Sequence, residues 1–132
     1  KFIHNALITS NYYWYIVGAE NKWALDAKAV MDKTIKDVCS SANTKINPIP
    51  ALLTLFRRRN ALSSLVQEQC EALFDYGVME TTIRDTTEIR KASAMSRTIY
   101  ETNRRCEVAK DYKSATEELI RVLKVEQTEL GL

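Results

Sequence analysis

The chain has 132 residues and a formal net charge of +2, with 45% hydrophobic and 27% charged residues, a balance typical of a globular protein and not of a disordered one. So small a charge does not by itself indicate a polyanionic partner. Three glycines and two prolines provide little turn chemistry for a many-stranded β fold. We therefore predict an all-α fold, a helical bundle built on a long antiparallel helical hairpin with an N-terminal helical arm.

The N-terminal segment is rich in aromatic residues and has no Asp, Glu, Lys or Arg between Lys1 and Glu20. It contains the run Tyr12–Val17, which we interpret as a helical arm that ends at Gly18. Its polar residues argue against a membrane span. Three roles stay open for Trp14 and its neighbours, namely packing on the rest of the domain, docking of a partner, and contact with a membrane surface.

A helix is predicted from Glu20 to Ser40, because apolar residues recur there at helical spacing. These residues are Trp23, Ala27, Val30, Met31, Ile35 and Val38. The segment from Ser40 to Pro50 is rich in Ser, Asn and Pro and is interpreted as the main linker. We predict one helical domain over residues 1–132, with a possible subdivision into an arm and helix (1–40) and a hairpin (50–132).

The next helix is predicted from Pro50 to Tyr76, where leucines dominate an apolar stripe, and Gly77 is expected to terminate it. It contains Arg57, Arg58 and Arg59, the most concentrated charge in the chain. In a helix Arg59 would fall inside the apolar stripe, so it must reach solvent, pair with a carboxylate, or face a ligand. The triplet therefore indicates internal ion pairs, contact with phosphate or nucleic acid, or contact with an acidic protein surface.

The stretch from Val78 to Leu130 contains no Gly and no Pro and shows a helical repeat of small residues. We predict a long helix that packs antiparallel to its predecessor, with a boundary or kink between Asn103 and Ser114. The pair Ser114 and Glu117 matches a capping box. The distal part of the stretch would extend beyond the shorter helix, which predicts self-association or a protein partner. Leu119, Leu123 and Leu130 would form that exposed surface.

Residues for catalysis or metal binding are scarce. His4 is the only histidine, and no glycine-rich phosphate loop is present. Cys39, Cys70 and Cys106 are too dispersed for a zinc site or a disulfide framework and fit a reducing, cytoplasmic compartment. We expect no enzyme activity, no cofactor, no metal and no small-molecule substrate.

These observations favour a non-enzymatic helical module for protein–protein interaction or assembly. One alternative is nucleic-acid binding through the arginines, which requires Arg57, Arg58, Arg104 and Arg105 to converge on one surface. Another is a peripheral membrane hairpin anchored by Trp14 and Tyr15. The candidate partner-binding residues are Arg57, Arg58, Arg59, Arg104, Arg105, Trp14, Tyr15, Leu119 and Leu123.

Overall fold

In the computed structural model, which describes residues 2–20, 23–129 and 131, helices alternate with parallel β-strands. The prediction of an all-α fold is therefore wrong. The elements are α1 (Phe2–Ile8), β1 (Tyr12–Gly18), α2 (Trp23–Ala42), β2 (Asn47–Phe56), α3 (Ala61–Leu73), β3 (Val78–Arg84), α4 (Thr87–Ala94), α5 (Ile99–Asn103) and α6 (Glu107–Glu129).

The strands form a three-stranded sheet in the order β1-β2-β3, and both neighbouring pairs are parallel. Parallel neighbours need a crossover connection, and α2 and α3 provide the two crossovers. The result is a βαβαβ unit, to which α4, α5 and α6 are added after the last strand.

Both faces of the sheet are covered by helices, as is usual for parallel sheets. On one face Val17 and Leu53 pack against Val66 and Phe74 from α3 and its C-cap. On the other face Leu52 packs with residues of β3 and of the three C-terminal helices. Leu52 and Leu53 are adjacent in sequence and are both buried, because successive side chains of a strand point to opposite faces.

The predicted helical arm is a β-strand, since Tyr12–Val17 lies within β1. Aromatic and β-branched residues favour extended backbone, and here they pack on the pleated surface of the sheet. The predicted helix from Glu20 to Ser40 is confirmed as α2, which begins at Trp23 and ends at Ala42. Residues 21 and 22 of the predicted range lie outside the described residues.

The predicted helix from Pro50 to Tyr76 is wrong in its first half, which is β2, and right in its second half, which is α3. Two prolines in a central strand are unusual. The N–H of Asn47 points toward β1, where it donates to the carbonyl of Asn11, so the nitrogens of Pro48 and Pro50 face the opposite side. Pairing with β3 begins only at Ala51, so neither proline removes a hydrogen bond from the ladder.

The predicted long helix from Val78 onward is also wrong, because the stretch begins with β3 and continues as three separate helices. The hairpin and its coiled-coil packing are therefore absent from the described residues. The predicted boundary between Asn103 and Ser114 is confirmed, since α5 ends at Asn103 and α6 begins at Glu107. Ser114 lies inside α6, and the capping box that does form joins Thr98 and Glu101 at the start of α5.

Carboxylates of α6 close the outer edge of β3. Glu118 accepts backbone hydrogen bonds from Glu80 at 2.7 Å and from Thr81 at 3.0 Å. Two helical turns earlier, Asp111 accepts the backbone N–H of Arg84 at 3.1 Å. These bonds satisfy donors that an edge strand would otherwise offer to another chain.

None of the helices in the described part of the chain combines the length and the apolar character that crossing a membrane requires.

Candidate anion-binding site

Arginine and aspartate side chains meet at the carboxyl ends of β2 and β3. Arg57 and Arg58 follow β2 directly, while Arg84 ends β3 and Asp85 follows it. Because the carboxyl ends of parallel strands lie at one edge of a sheet, these side chains surround a common cavity of about 480 Å³. Its lining residues are Phe56, Arg57, Arg58, Thr82, Arg84, Asp85 and Asp111.

An irregularity in β2 aims its last residues at this cavity. The register with β3 shifts between Leu53 and Phe56, and Leu55 has a φ of 54°, in the left-handed region that residues other than glycine rarely adopt. Beyond the shift, the carbonyl of Phe56 accepts the N–H of Asp85 at 3.1 Å. Strand irregularities of this kind often re-aim side chains beside functional sites.

Ser63 connects this edge of the sheet to the end of β1. Its hydroxyl is buried, accepts the backbone N–H of Arg57 at 3.1 Å and donates to the carbonyl of Ala19 at 3.3 Å. Asn60 caps the start of α3 by accepting the N–H of Leu62 at 2.9 Å. The loop that carries the arginines is therefore held at both ends, and the positive end of the α3 dipole points to the same edge.

Asp85 is the electrostatic centre of the site. Its side chain is only 3% exposed and is shared by two guanidinium groups, Arg57 at 2.8 Å and Arg90 at 2.5 Å. The hydrogen bond from Arg57, aided by the charge of Arg90, holds the pKa of Asp85 below its ordinary value. One carboxylate thus faces two cations, and over the whole cavity lining three arginines against two aspartates leave a net charge of +1.

Arg84 is fixed by a forked ion pair with α6. Its guanidinium donates to the two carboxylate oxygens of Asp111 at 2.7 and 2.9 Å, and Glu107 lies 3.8 Å away. The hydrogen bond to Asp111 raises the pKa of Arg84, so this residue stays charged. Arg84 therefore forms one wall of the cavity, held by Asp111.

Arg58 and Arg59 are exposed, and neither forms a hydrogen bond or an ion pair with any residue that the structure describes. Of the alternatives predicted for Arg59, an internal ion pair does not form with any described residue, because Arg59 lies in an exposed loop and not on the apolar stripe of a helix. Guanidinium groups without an internal partner keep all their donors available for a ligand.

The other predicted binding residues lie elsewhere. Arg104 and Arg105 are exposed in the turn before α6 and do not line the cavity. Trp14 donates its indole N–H to the carbonyl of Pro50 at 2.9 Å, and Tyr15 donates its hydroxyl to Asp32 at 2.9 Å. Burial and the Asp32 contact raise the pKa of Tyr15.

The leucines predicted to bind a partner belong to α6. Leu119 packs against the buried cluster between the sheet and the C-terminal helices, and Leu123 is half-buried. The sheet of the same chain thus covers much of the surface that seemed, from the sequence, to need a second helix. Leu130 lies outside the described residues.

Arg57 and Arg58 were predicted from the sequence as binding residues, whereas Arg84, Asp85, Arg90 and Asp111 were not predicted to belong to the same site. The available signal was the pair Arg84-Asp85 at the end of the short segment Val78–Arg84, where Thr and Ile indicate a strand. This signal was not used, because the stretch from Val78 to Leu130 was predicted to be helical throughout. Within the described residues, no cluster of His, Cys, Asp and Glu could hold a metal ion.

No protein-family model matches the chain, and a search of curated proteins found no similar sequence.

Proposed function

We propose that the protein binds an anionic ligand, bearing a phosphate or carboxylate group, at the carboxyl edge of its parallel sheet. The observation that carries this proposal is the meeting of Arg57, Arg58 and Arg84 around one cavity in which Asp85 is already shared by two arginines. Ligands of open α/β sheets commonly bind outside the carboxyl ends of the strands.

Some of the arginines are held by carboxylates, and others have no partner among the described residues. Arg57, Arg84 and Arg90 are held by carboxylates, so their positions are set before a ligand arrives. Arg58, which lines the cavity, retains all its donors and can form bidentate bonds with an anion there. Arg59 follows it in the sequence, is exposed and has no partner among the described residues, but it does not line the cavity. Pre-positioned cations reduce the ordering cost of binding, whereas free ones provide new bonds.

The site is suited to binding and not to acid–base catalysis. Asp85 and Asp111 are both engaged by guanidinium groups, and the pKa of Asp85 is lowered, which disfavours a proton-donating role near neutral pH. We therefore propose a ligand-binding role without chemistry.

Calorimetric titration with inorganic pyrophosphate at low ionic strength tests the proposal. We expect Arg58→Gln to weaken binding about tenfold or more, because a hydrogen bond to a charged group contributes about 1.5–3 kcal/mol. The matched control is Arg121→Gln, which removes the same charge from the exposed face of α6. Absence of binding to the unaltered protein, or equal weakening by the control, would contradict the proposal.

Nucleic-acid binding, predicted as an alternative, would use the same unpaired Arg58 and Arg59. A single-stranded oligonucleotide in the same titration distinguishes it, because its affinity should fall steeply with salt concentration. If a long polyanion extends toward α6, the double variant Arg104→Gln and Arg105→Gln should weaken binding of the oligonucleotide and leave the affinity for pyrophosphate unchanged.

The protein-interaction role predicted from the sequence remains a proposal. What supports it is the open edge of β1, which is described below, and not the leucines of α6. Contact of Trp14 and Tyr15 with a membrane surface stays a prediction.

A reducing compartment is likewise proposed, since Cys39, Cys70 and Cys106 are all free thiols.

A further inference from the structure

The outer edge of β1 carries backbone groups that no described strand pairs. The carbonyl of Asn11 accepts from Asn47 at 2.9 Å, and the N–H of Ala19 donates to Thr54 at 2.8 Å, so both point toward β2. Backbone direction alternates along a strand. The N–H and C=O groups of Tyr12, Trp14 and Ile16 therefore point away from β2, and the sheet order places β1 last on that side.

The two edges of the sheet differ in what satisfies their backbone groups. Asp111 and Glu118 of α6 close the edge of β3, as described above. Within residues 2–19, in contrast, there is no Asp, Glu, Lys, Arg or Pro that would discourage pairing along β1. The register irregularity between β1 and β2 adds its extra residue to β2, so β1 itself stays regular.

The helical layer on the α6 side covers β1 only in part, because Trp14 packs against the cluster on that side whereas Ile16 does not. Leu52 and Met79, on the same face in β2 and β3, are 5% and 4% exposed. Ile16, on that face of β1, is 53% exposed. Parallel strands are usually buried on both faces, so an apolar residue left half open marks a place where a further layer is expected.

We propose that β1 is an inner strand of a larger sheet, and that an uncharged, apolar β-strand from a second α/β unit pairs with its outer edge in parallel orientation. A βαβαβ unit with strand order β1-β2-β3 has the form of one half of a doubly wound sheet, in which the first strands of the two halves are neighbours. The open strand of this chain is that first strand.

A symmetric second copy of the chain would not form the parallel pairing that we propose. Two identical strands related by a two-fold axis in equivalent register pair in antiparallel orientation, which would make a mixed sheet. Purely parallel sheets are over-represented, so the sheet of this chain favours a parallel neighbour. The pairing does not depend on the anion-binding function, since it concerns the opposite side of the sheet from β3.

Residue-resolved amide hydrogen exchange on the protein isolated from its native source tests the pairing. The amides of Tyr12, Trp14 and Ile16 report on the outer edge, and that of Leu53, in the central strand, is the internal reference. We expect the edge amides to exchange nearly as slowly as the reference and to stay slow on dilution. Rapid exchange at the edge beside a slow reference would overturn the proposal. So would protection that is lost on dilution while the particle mass falls from two copies of the chain to one, because the occupant would then be a second copy.

Two variants that each add a positive charge, one beside the edge of β1 and one on α2, form a matched pair. Ile16→Lys places an ammonium group where the new strand would pack, whereas Val30→Lys places it on α2, where Val30 is 70% exposed. We expect Ile16→Lys to accelerate exchange at Tyr12 and Trp14 by about tenfold or more, with Leu53 unchanged, and Val30→Lys to have no such effect. Equal exchange in the two variants would overturn the proposal.

Discussion

Replacement of Glu118 by alanine tests how α6 closes the outer edge of β3. The residue is 9% exposed, and its carboxylate accepts the N–H groups of Glu80 at 2.7 Å and Thr81 at 3.0 Å. Alanine removes both acceptors and leaves two backbone donors partly shielded from water. A buried donor without an acceptor is costly, because its hydration is not replaced.

The magnitude follows from the two bonds. A hydrogen bond to a charged group contributes about 1.5–3 kcal/mol, and water can reach part of the vacated space, so we expect a loss of about 3–4 kcal/mol in the free energy of unfolding. Glu118→Gln retains one acceptor oxygen, but its amide group opposes the second N–H. It should cost about half as much.

Urea denaturation followed by circular dichroism measures these differences. Glu117→Ala is the control, since Glu117 is exposed and its ion pair with Lys113 spans 4.0 Å, so it should change the free energy of unfolding by about 0.5 kcal/mol or less. A loss below about 1 kcal/mol for Glu118→Ala would refute the idea that α6 satisfies the β3 edge. Exchange at the amides of Glu80 and Thr81 should accelerate in the same variant.

Asp85 should make stability depend on pH. The pKa of Asp85 is lowered in the folded protein, so its contribution to the free energy of unfolding is present above the ordinary aspartate pKa and is lost as the pH falls through the folded value. Asp85→Asn should therefore lower stability at neutral pH and make stability depend less on pH in the acid range. Acid titrations of unfolding in which the variant keeps the same pH dependence would contradict this prediction. Cys70 is fully buried, and burial raises the pKa of its thiol to about 11. A thiol reagent at pH 8 should therefore label Cys39 and Cys106 well before Cys70. Equal labelling rates for the three thiols would contradict the burial of Cys70.

Local pattern was sufficient for several elements. The helical spacing of apolar residues predicted α2, the positive φ of Gly77 suits the turn that follows α3, and the break between α5 and α6 falls within the predicted interval. Each of these features depends on residues close in sequence. The concentration of charge at Arg57 and Arg58 was also visible without any structure.

β2 could not be recognised in this way, whereas the aromatic and β-branched residues of β1 and the Thr and Ile residues of β3 are typical of strands. A strand that is buried on both faces, such as Ala51–Leu53 in β2, is a continuous apolar run without alternation, and its period does not distinguish it from a helix segment. No Gly or Pro separates β3 from the helices that follow, so a helical repeat that is real only from Thr87 onward was extended back to Val78. The three strands are stabilised by one another, which is information that no single segment contains.

Composition and spacing alone thus determined a folded chain, the position of its clearest helix and its densest group of arginines. Only the tertiary structure decided what those arginines face. Parallel pairing aligns the carboxyl ends of β2 and β3, and this alignment brings Asp85 to Arg57 across 28 residues of sequence. In the part of the chain that the structure describes, it also leaves the outer side of β1 unpaired, because pairing with β2 satisfies only half of the backbone groups of a strand.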